Sequence, residues 1–253
     1  MGIVNITPDS FSDGGAYLSK KSALEHAYSL IESGADIIDI GGESSRPGSD
    51  RISAKEETKR VIGAIKELAP TISTPISIDT AKPRVAESCI KAGASIINDV
   101  SGLRDDRMIN IAISYDVPAA IVHMHGTPKT FDTDMMEGNA LTEIKRFLNE
   151  RAEHAVGRGM KERNIIVDPG IGFGKTAEQD MSIALNSGWF SDRYPVLVGP
   201  SRKRFLSKYY SEMDRDEATA AASMIAAESG AKILRVHNVS KVAQFIGGNR
   251  SDL

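Results

Sequence analysis

Eight short runs of β-branched and aliphatic residues, separated by longer stretches of helical period, leave this chain few architectures to adopt. The runs cover residues 3–6, 36–40, 76–79, 95–100, 119–124, 165–168, 196–198 and 233–236. They are too short for helices and too uniformly apolar for strands with one wet face, so they read as strands buried on both sides. Between them, residues 22–32, 54–68, 139–158 and 216–228 are rich in Ala, Glu, Lys and Leu, with apolar positions three and four apart, which predicts helices. Three junctions repeat one phrase, Gly34-Ala35, Gly93-Ala94 and Gly230-Ala231, each followed at once by a strand run. Glycine tolerates the left-handed turn that ends a helix, so the repeat is architectural. Strand and helix alternate with no linker, and parallel strands need such crossovers. The expectation is an α/β fold, a (β/α)8 TIM barrel forming a single domain over residues 1–253, in preference to an open doubly wound sheet.

Charge and cysteine usage narrow the partners. The formal net charge is -3 with both signs spread along the chain, so no basic stripe points to nucleic acid. Cys89 is the single cysteine, which excludes an internal disulfide and a multi-thiolate zinc site and fits a reducing compartment, so a cytoplasmic location is expected. The opening Met1-Gly2-Ile3-Val4-Asn5 leaves no room for a secretion signal, and Ile6 stands where a myristoylation motif wants Ser or Thr. No apolar run approaches membrane-spanning length. Small-molecule partners are the expectation.

Polar residues that do not suit a buried strand gather at the C-terminal ends of the runs: Asn5, Asp39, Asp79, Asn98, Asp99, His123, Asp168, Arg235 and His237. A carboxylate after one strand often only caps the next helix. Its recurrence after almost every strand marks the ligand-binding edge of a parallel sheet or barrel. Two tempting readings fail. Gly170-Ile171-Gly172-Phe173-Gly174-Lys175-Thr176 resembles a phosphate loop, but Pro169 stands where the first glycine is required, and Lys175 occupies the last glycine site of a dinucleotide fingerprint. His123 and His125 could share a metal from one strand face, yet His26 and His154 fall inside helices and leave only His237 as a further imidazole, so a structural or substrate-side role for His123 is favoured.

Asn5-Ile6-Thr7-Pro8-Asp9-Ser10-Phe11-Ser12-Asp13-Gly14-Gly15 and Asp39-Ile40-Gly41-Gly42-Glu43-Ser44-Ser45-Arg46-Pro47-Gly48 resemble the two signature loops of the dihydropteroate synthase family. Ile78-Asp79-Thr80, Asn98-Asp99-Val100, His123-Met124, Asp168-Pro169-Gly170, Ser201-Arg202-Lys203 and Arg235-Val236-His237 follow in the family's order. The resemblance spans residues 1 to 244 and implies condensation of 6-hydroxymethyl-7,8-dihydropterin diphosphate with p-aminobenzoate to dihydropteroate and pyrophosphate, in folate biosynthesis.

It also implies roles. Asp79, Asn98, Val100, Met124, Asp168, Gly172, Phe173, Lys203 and Arg235 would form the pterin pocket, because two acids and an amide suit the donor-rich edge of a pterin. Asn5 would ligate Mg2+, and Asn5, Ser45, Arg46, Arg235 and His237 would hold the diphosphate. Phe11, Pro47, Phe173 and Lys203 would frame p-aminobenzoate. Lys203, Arg235 and His237 would carry catalysis by electrostatic stabilisation. The first loop is expected to close over bound pterin and diphosphate, and a homodimer and a sulfonamide target are implied.

The chain departs from the family pattern in places. Ser45 stands where Thr is usual, and Asn238 where Asp is common, the latter read as a helix start. The strand pair that commonly precedes the first barrel strand is absent from this sequence. A corrinoid methyltransferase on a similar barrel would share the acidic pterin contacts but has no diphosphate to bind, and a non-catalytic pterin-binding paralogue is the other alternative.

Overall fold

The computed structural model describes residues 1–7, 15–44, 48–131 and 133–248. Eight strands, β1 (Gly2–Asn5), β2 (Ile38–Gly41), β3 (Ile76–Asp79), β4 (Ile96–Asp99), β5 (Ala119–Val122), β6 (Ile165–Asp168), β7 (Leu197–Val198) and β8 (Ile233–Leu234), fall within one or two residues of the expected runs. Nine helices lie among the described residues: α1 (Gly15–Glu32), α2 (Ala54–Leu68), α3 (Pro83–Lys91), α4 (Asp106–Tyr115), α5 (Ala140–Gly157), α6 (Ala177–Leu185), α7 (Phe205–Tyr209), α8 (Arg215–Glu228) and α9 (Val239–Gly248). Helix α1 starts at Gly15, earlier than residue 22. Asn238 does open a helix: its Oδ1 accepts the Lys241 N–H ahead of α9. Gly34, Gly93 and Gly230 take φ of 90°, 117° and 107° at the helix ends, the conformation that the repeated Gly-Ala phrase requires.

All pairings are parallel. Six strands pair in sequence order from β1 to β6, and β7 pairs with β8. Single parallel bridges join Val167 to Val196 and Gly2 to Val236. The Val167 N–H donates to Pro195 O at 3.1 Å and the Ile3 N–H to Val236 O at 3.0 Å. Pairing therefore passes from each strand to the next and returns to the first, as a (β/α)8 ring requires.

Alternation along the strands then sorts the side chains. Outward positions such as Val4, Ile40, Ile78, Ile97, Ile121 and Val167 join the helices in the main core. Inward, Met1, Ile96, Ala120, Ile166 and Leu197 pack with Ile37 and Ile233 into a dry plug inside the ring. Two residues further along the same strands, and so on the same inner face about 6.6 Å higher, stand Asp39, Asn98, Asp168 and Arg235. The apolar plug is thus the floor beneath a polar mouth. No helix among the described residues is long and apolar enough to cross a membrane.

Candidate active site

The mouth is organised by Arg235, just past β8. Its Nε donates to Asp39 Oδ2 of β2 and its Nη2 to Asp79 Oδ2 of β3, both at 2.6 Å. Asn98 Nδ2 of β4 donates to the same Asp39 oxygen at 3.2 Å. Residues distant in sequence are thus tied into one network across the ring. Burial acts against the Arg235 charge, but the Asp39 and Asp79 carboxylates outweigh it and raise the guanidinium above its usual value. Burial pushes the Asp79 carboxyl up to about 7, with Arg235 opposing. Two acceptors, Asp39 Oδ1 and Asn98 Oδ1, are buried without a hydrogen-bond partner among the described residues. An unpaired buried acceptor costs about 1–3 kcal/mol, so this surface favours a ligand that supplies N–H donors.

Asp168 closes the far side from the end of β6. Its Oδ1 accepts the Gly170 N–H at 2.7 Å, and burial raises its carboxyl to about 6. The loop that follows presses close on the end of β5: a Cβ at Gly170 would stand 1.9 Å from His123 O. Lys175 is buried and its ammonium donates to Gly170 O at 2.8 Å, Phe173 O at 3.2 Å and His123 O at 3.4 Å, so it braces the loop from within. The resemblance to a phosphate loop is resolved by this contact: the lysine faces backbone carbonyls. Phe173 joins Met124, Val122 and Phe131 in a small apolar wall, with Val100 packed against it. Lys203 extends along this wall, its Nζ 4.2 Å from the Phe173 ring centre. Burial first, then Arg235, lowers its ammonium to about 8.

Asn5, Asp79, Gly172, Lys203, Arg235 and His237 line one cleft of about 1220 Å3. Its rim carries the Ser201–His237 pair, with Ser201 Oγ 2.9 Å from His237 Nδ1. Burial and then Arg202 and Arg235 push the imidazole down to about 3, so it is neutral near pH 7. If Ser201 donates to Nδ1, the proton sits on Nε2 and can be offered to an anion. Arg202, at φ 58°, turns away to pair with Asp216 of α8 at 3.0 Å.

The His-x-His pair does not converge. His123 is buried edge-on against Phe147, with centroids 5.0 Å apart, and burial drives it down to about 2. His125 instead contacts Asp134 near the surface at 3.3 Å. Among the described residues no group of three or more His, Cys, Asp or Glu could hold a metal.

Of the residues singled out from sequence, Asn5, Asp79, Asn98, Val100, Met124, Asp168, Gly172, Phe173, Lys203, Arg235 and His237 all stand at this end of the ring. Phe11, Ser45, Arg46 and Pro47 lie outside the described residues, as does most of the first loop. The sequence reading gave no role to Lys82, which bridges Glu43 at 2.7 Å and the buried Glu57 at 2.5 Å. It also missed Asp180 of α6, which holds the Gly172 N–H. Asp180 shares a buried helical face with Ile183 and Ala184, but a lone aspartate at that spacing is no signal by itself.

The chain resembles known proteins over nearly its whole length. It is 44% identical to the dihydropteroate synthase of Bacillus subtilis over 249 residues, covering 97% of this chain and 85% of that protein. Among solved structures, the dihydropteroate synthase of Xanthomonas albilineans with 4-aminobenzoic acid superposes with a TM-score of 0.92 at 36% identity, over 100% of this chain and 92% of that one. The same enzyme in complex with 7,8-dihydropteroate gives 0.89 at 35% identity, with the same coverage of 100% and 92%. The model of the pterin binding enzyme family matches residues 1–237, which takes in every strand of the ring and every charged group of the mouth, and the chain belongs to that family.

Proposed function

We propose that this chain is a dihydropteroate synthase, joining p-aminobenzoate to 6-hydroxymethyl-7,8-dihydropterin diphosphate with release of pyrophosphate. The observation that carries the reading is the acceptor-rich mouth, where Asp79, Asn98 and Asp168 stand at a cleft that Lys203 and Arg235 also line. A pterin offers a row of N–H donors along one edge and a carbonyl beside it. Asp79, Asn98 and Asp168 accept from the first, and the Lys203 ammonium donates to the second. Met124, Val100 and Phe173 bound the ring, Gly172 leaves room for it, and Arg235 lies along the remaining side. Relatives solved with 4-aminobenzoic acid and with 7,8-dihydropteroate support both halves of this assignment.

In the transfer step the bond between the pterin methylene carbon and the diphosphate oxygen breaks, and its electron pair leaves with pyrophosphate. The arylamine nitrogen uses its lone pair to bond the same carbon and releases a proton to water. The amine needs no general base before attack, so the protein's contribution is electrostatic. Arg235 and the Nε2–H of His237 face the leaving group, with Ser45 and Arg46 assigned beside them. Phe11, Pro47, Phe173 and Lys203 frame the arylamine.

Mg2+ suits this arrangement. Asn5 Oδ1 and Asp79 Oδ2 both lie near Gly41, 3.7 and 3.6 Å from the point where a side chain there would begin, so hard oxygens of two strands stand together at the mouth. A cation that keeps several waters and takes phosphate oxygens needs few protein ligands, and Asn5 is the residue assigned to it. When bound, Mg2+ would neutralise charge on the departing diphosphate.

The decisive experiment supplies both substrates with Mg2+ and follows pyrophosphate and dihydropteroate. Equal amounts of the two products, dependence on Mg2+ and competition by a sulfonamide against p-aminobenzoate are expected. Pterin binding without turnover would point instead to a non-catalytic binding protein. We also propose a homodimer, which light scattering at twice the chain mass would support, and a cytoplasmic location. Buried Cys89, its thiol pushed up to about 12 by burial and by Glu57, suits a protein that uses no disulfide.

A further inference from the structure

Asp180 is a buried carboxylate lining the cleft to which the transfer chemistry above gives no task. It stands on α6, is 3% exposed, and accepts the Gly172 N–H on Oδ1 at 2.8 Å. Gly172 is held from the other side as well: a Cβ there would stand 2.7 Å from Lys203 Cδ, so the lysine stem lies in the space a side chain would fill. The next residue, Phe173, carries the ring over which the Lys203 ammonium sits. One peptide therefore connects Asp180 to the lysine that faces both substrates.

The hydrogen bond alone does not require a charge. An asparagine at position 180 would accept the same N–H, without the desolvation that a buried carboxylate suffers. The charge has a use in its surroundings. Around Asp180 stand Lys175, Lys203 and Arg204, and around Lys203 stand Arg235, Asp180, Asp168 and Asp79. The Lys175 ammonium is already committed to three backbone carbonyls. The negative charge of Asp180 thus bears on Lys203 as well, against the positive charge of Arg235.

We propose that Asp180 is a positioning residue for pterin transfer: its carboxylate fixes the Ile171–Gly172 peptide beside Lys203, and its charge keeps Lys203 in the ammonium form that donates to the pterin carbonyl. The proposal rests on the assignment of Lys203 to that carbonyl. Burial and Arg235 lower the Lys203 ammonium to about 8, while Asp180, Asp168 and Asp79 act to raise it. The sign follows: removing the charge at position 180 lowers the Lys203 value further, so the protonated form is lost at a lower pH.

Two variants separate the hydrogen bond from the charge. Asp180→Asn keeps an acceptor for Gly172 and removes the charge, whereas Asp180→Ala removes both. In Asp180→Asn the alkaline limb of kcat/KM for the dihydropterin diphosphate should move down by about one pH unit, at the low end of what one nearby charge does. In Asp180→Ala the KM for p-aminobenzoate should in addition rise about tenfold, because the freed peptide no longer holds Phe173 and Lys203 together. Calorimetric binding of 6-hydroxymethylpterin across the same pH range reads the limb without turnover. Wild type that binds this pterin but releases no pyrophosphate defeats the assigned reaction, while the binding curve still decides the role of Asp180. An alkaline limb of Asp180→Asn that coincides with wild type overturns the proposal. So does an Asp180→Ala variant that folds and matches Asp180→Asn in KM. If Asp180→Ala does not fold, the limb of Asp180→Asn decides alone.

Discussion

Arg235 sits between two carboxylates, and the fully buried one, Asp39, has no other cation bonded to it in the network at the mouth. Removing one partner of a buried pair leaves a charge without compensation, a loss of about 3–5 kcal/mol. Arg235→Met should therefore lower the urea midpoint sharply at pH 7 and abolish pterin binding. The stability gap to wild type should narrow near pH 5, where the Asp79 carboxyl, raised to about 7 by burial, is protonated. An equal gap at both pH values would contradict the network. Asp168 behaves in the opposite sense. Its carboxyl is raised to about 6 in the folded state from the ordinary 3.8, so between those values the folded chain binds more protons than the unfolded one. Stability then falls as pH rises through this window and stays reduced above it. Asp168→Asn should accordingly raise stability at pH 7, by on the order of 1–3 kcal/mol, while losing turnover by a large factor. A variant that is both less stable and active would show that the carboxylate has neither effect.

At the scale of the element, the loop between β6 and α6 is held in place by its own sequence. The Thr176 side chain and Gln179 cap α6 reciprocally, and the Lys175 ammonium occupies the loop interior. Lys175→Met should leave three carbonyls without their donor. It should destabilise the fold by about 2 kcal/mol or more in urea unfolding and raise the KM for both substrates, since Gly172 and Phe173 move with the loop. Unchanged KM values would detach the loop from the site. This element also marks the limit of what sequence could reveal. Strand ends such as Asp79, Asn98 and Asp168 were legible because acids and amides recur at the end of almost every buried apolar run, more often than helix capping requires. Lys175 and Asp180 were not, because a lysine in a glycine-rich loop and an aspartate in a helix are most often solvated, and their burial depends on how the loop folds back onto β5. The same holds for Lys82 and Glu57, whose pairing depends on the packing of α2 against α3. The bracing of α6 against the mouth is a tertiary fact.

For the whole molecule, the ring was legible from period and count, since eight apolar runs with crossover helices have few ways to bury both faces. The vertical order inside it is a consequence of period-two alternation: Ile37, Ile166 and Ile233 of the apolar plug below, and Asp39, Asp168 and Arg235 two residues further on. That order makes the mouth rigid from below and open above, so ligands that fill it should stabilise the entire barrel. At a pterin concentration of about one hundred times its dissociation constant the gain should be about 2.7 kcal/mol, visible as a rise in Tm that Asp168→Asn abolishes. A rise that survives in that variant would locate the binding elsewhere. The most direct measurement is a crystal structure of the protein soaked with 6-hydroxymethylpterin. The donor edge of the ring is expected against Asp79, Asn98 and Asp168, with its carbonyl toward Lys203. A pterin bound outside this mouth, or turned with its carbonyl toward the carboxylates, would contradict the assignment of the site.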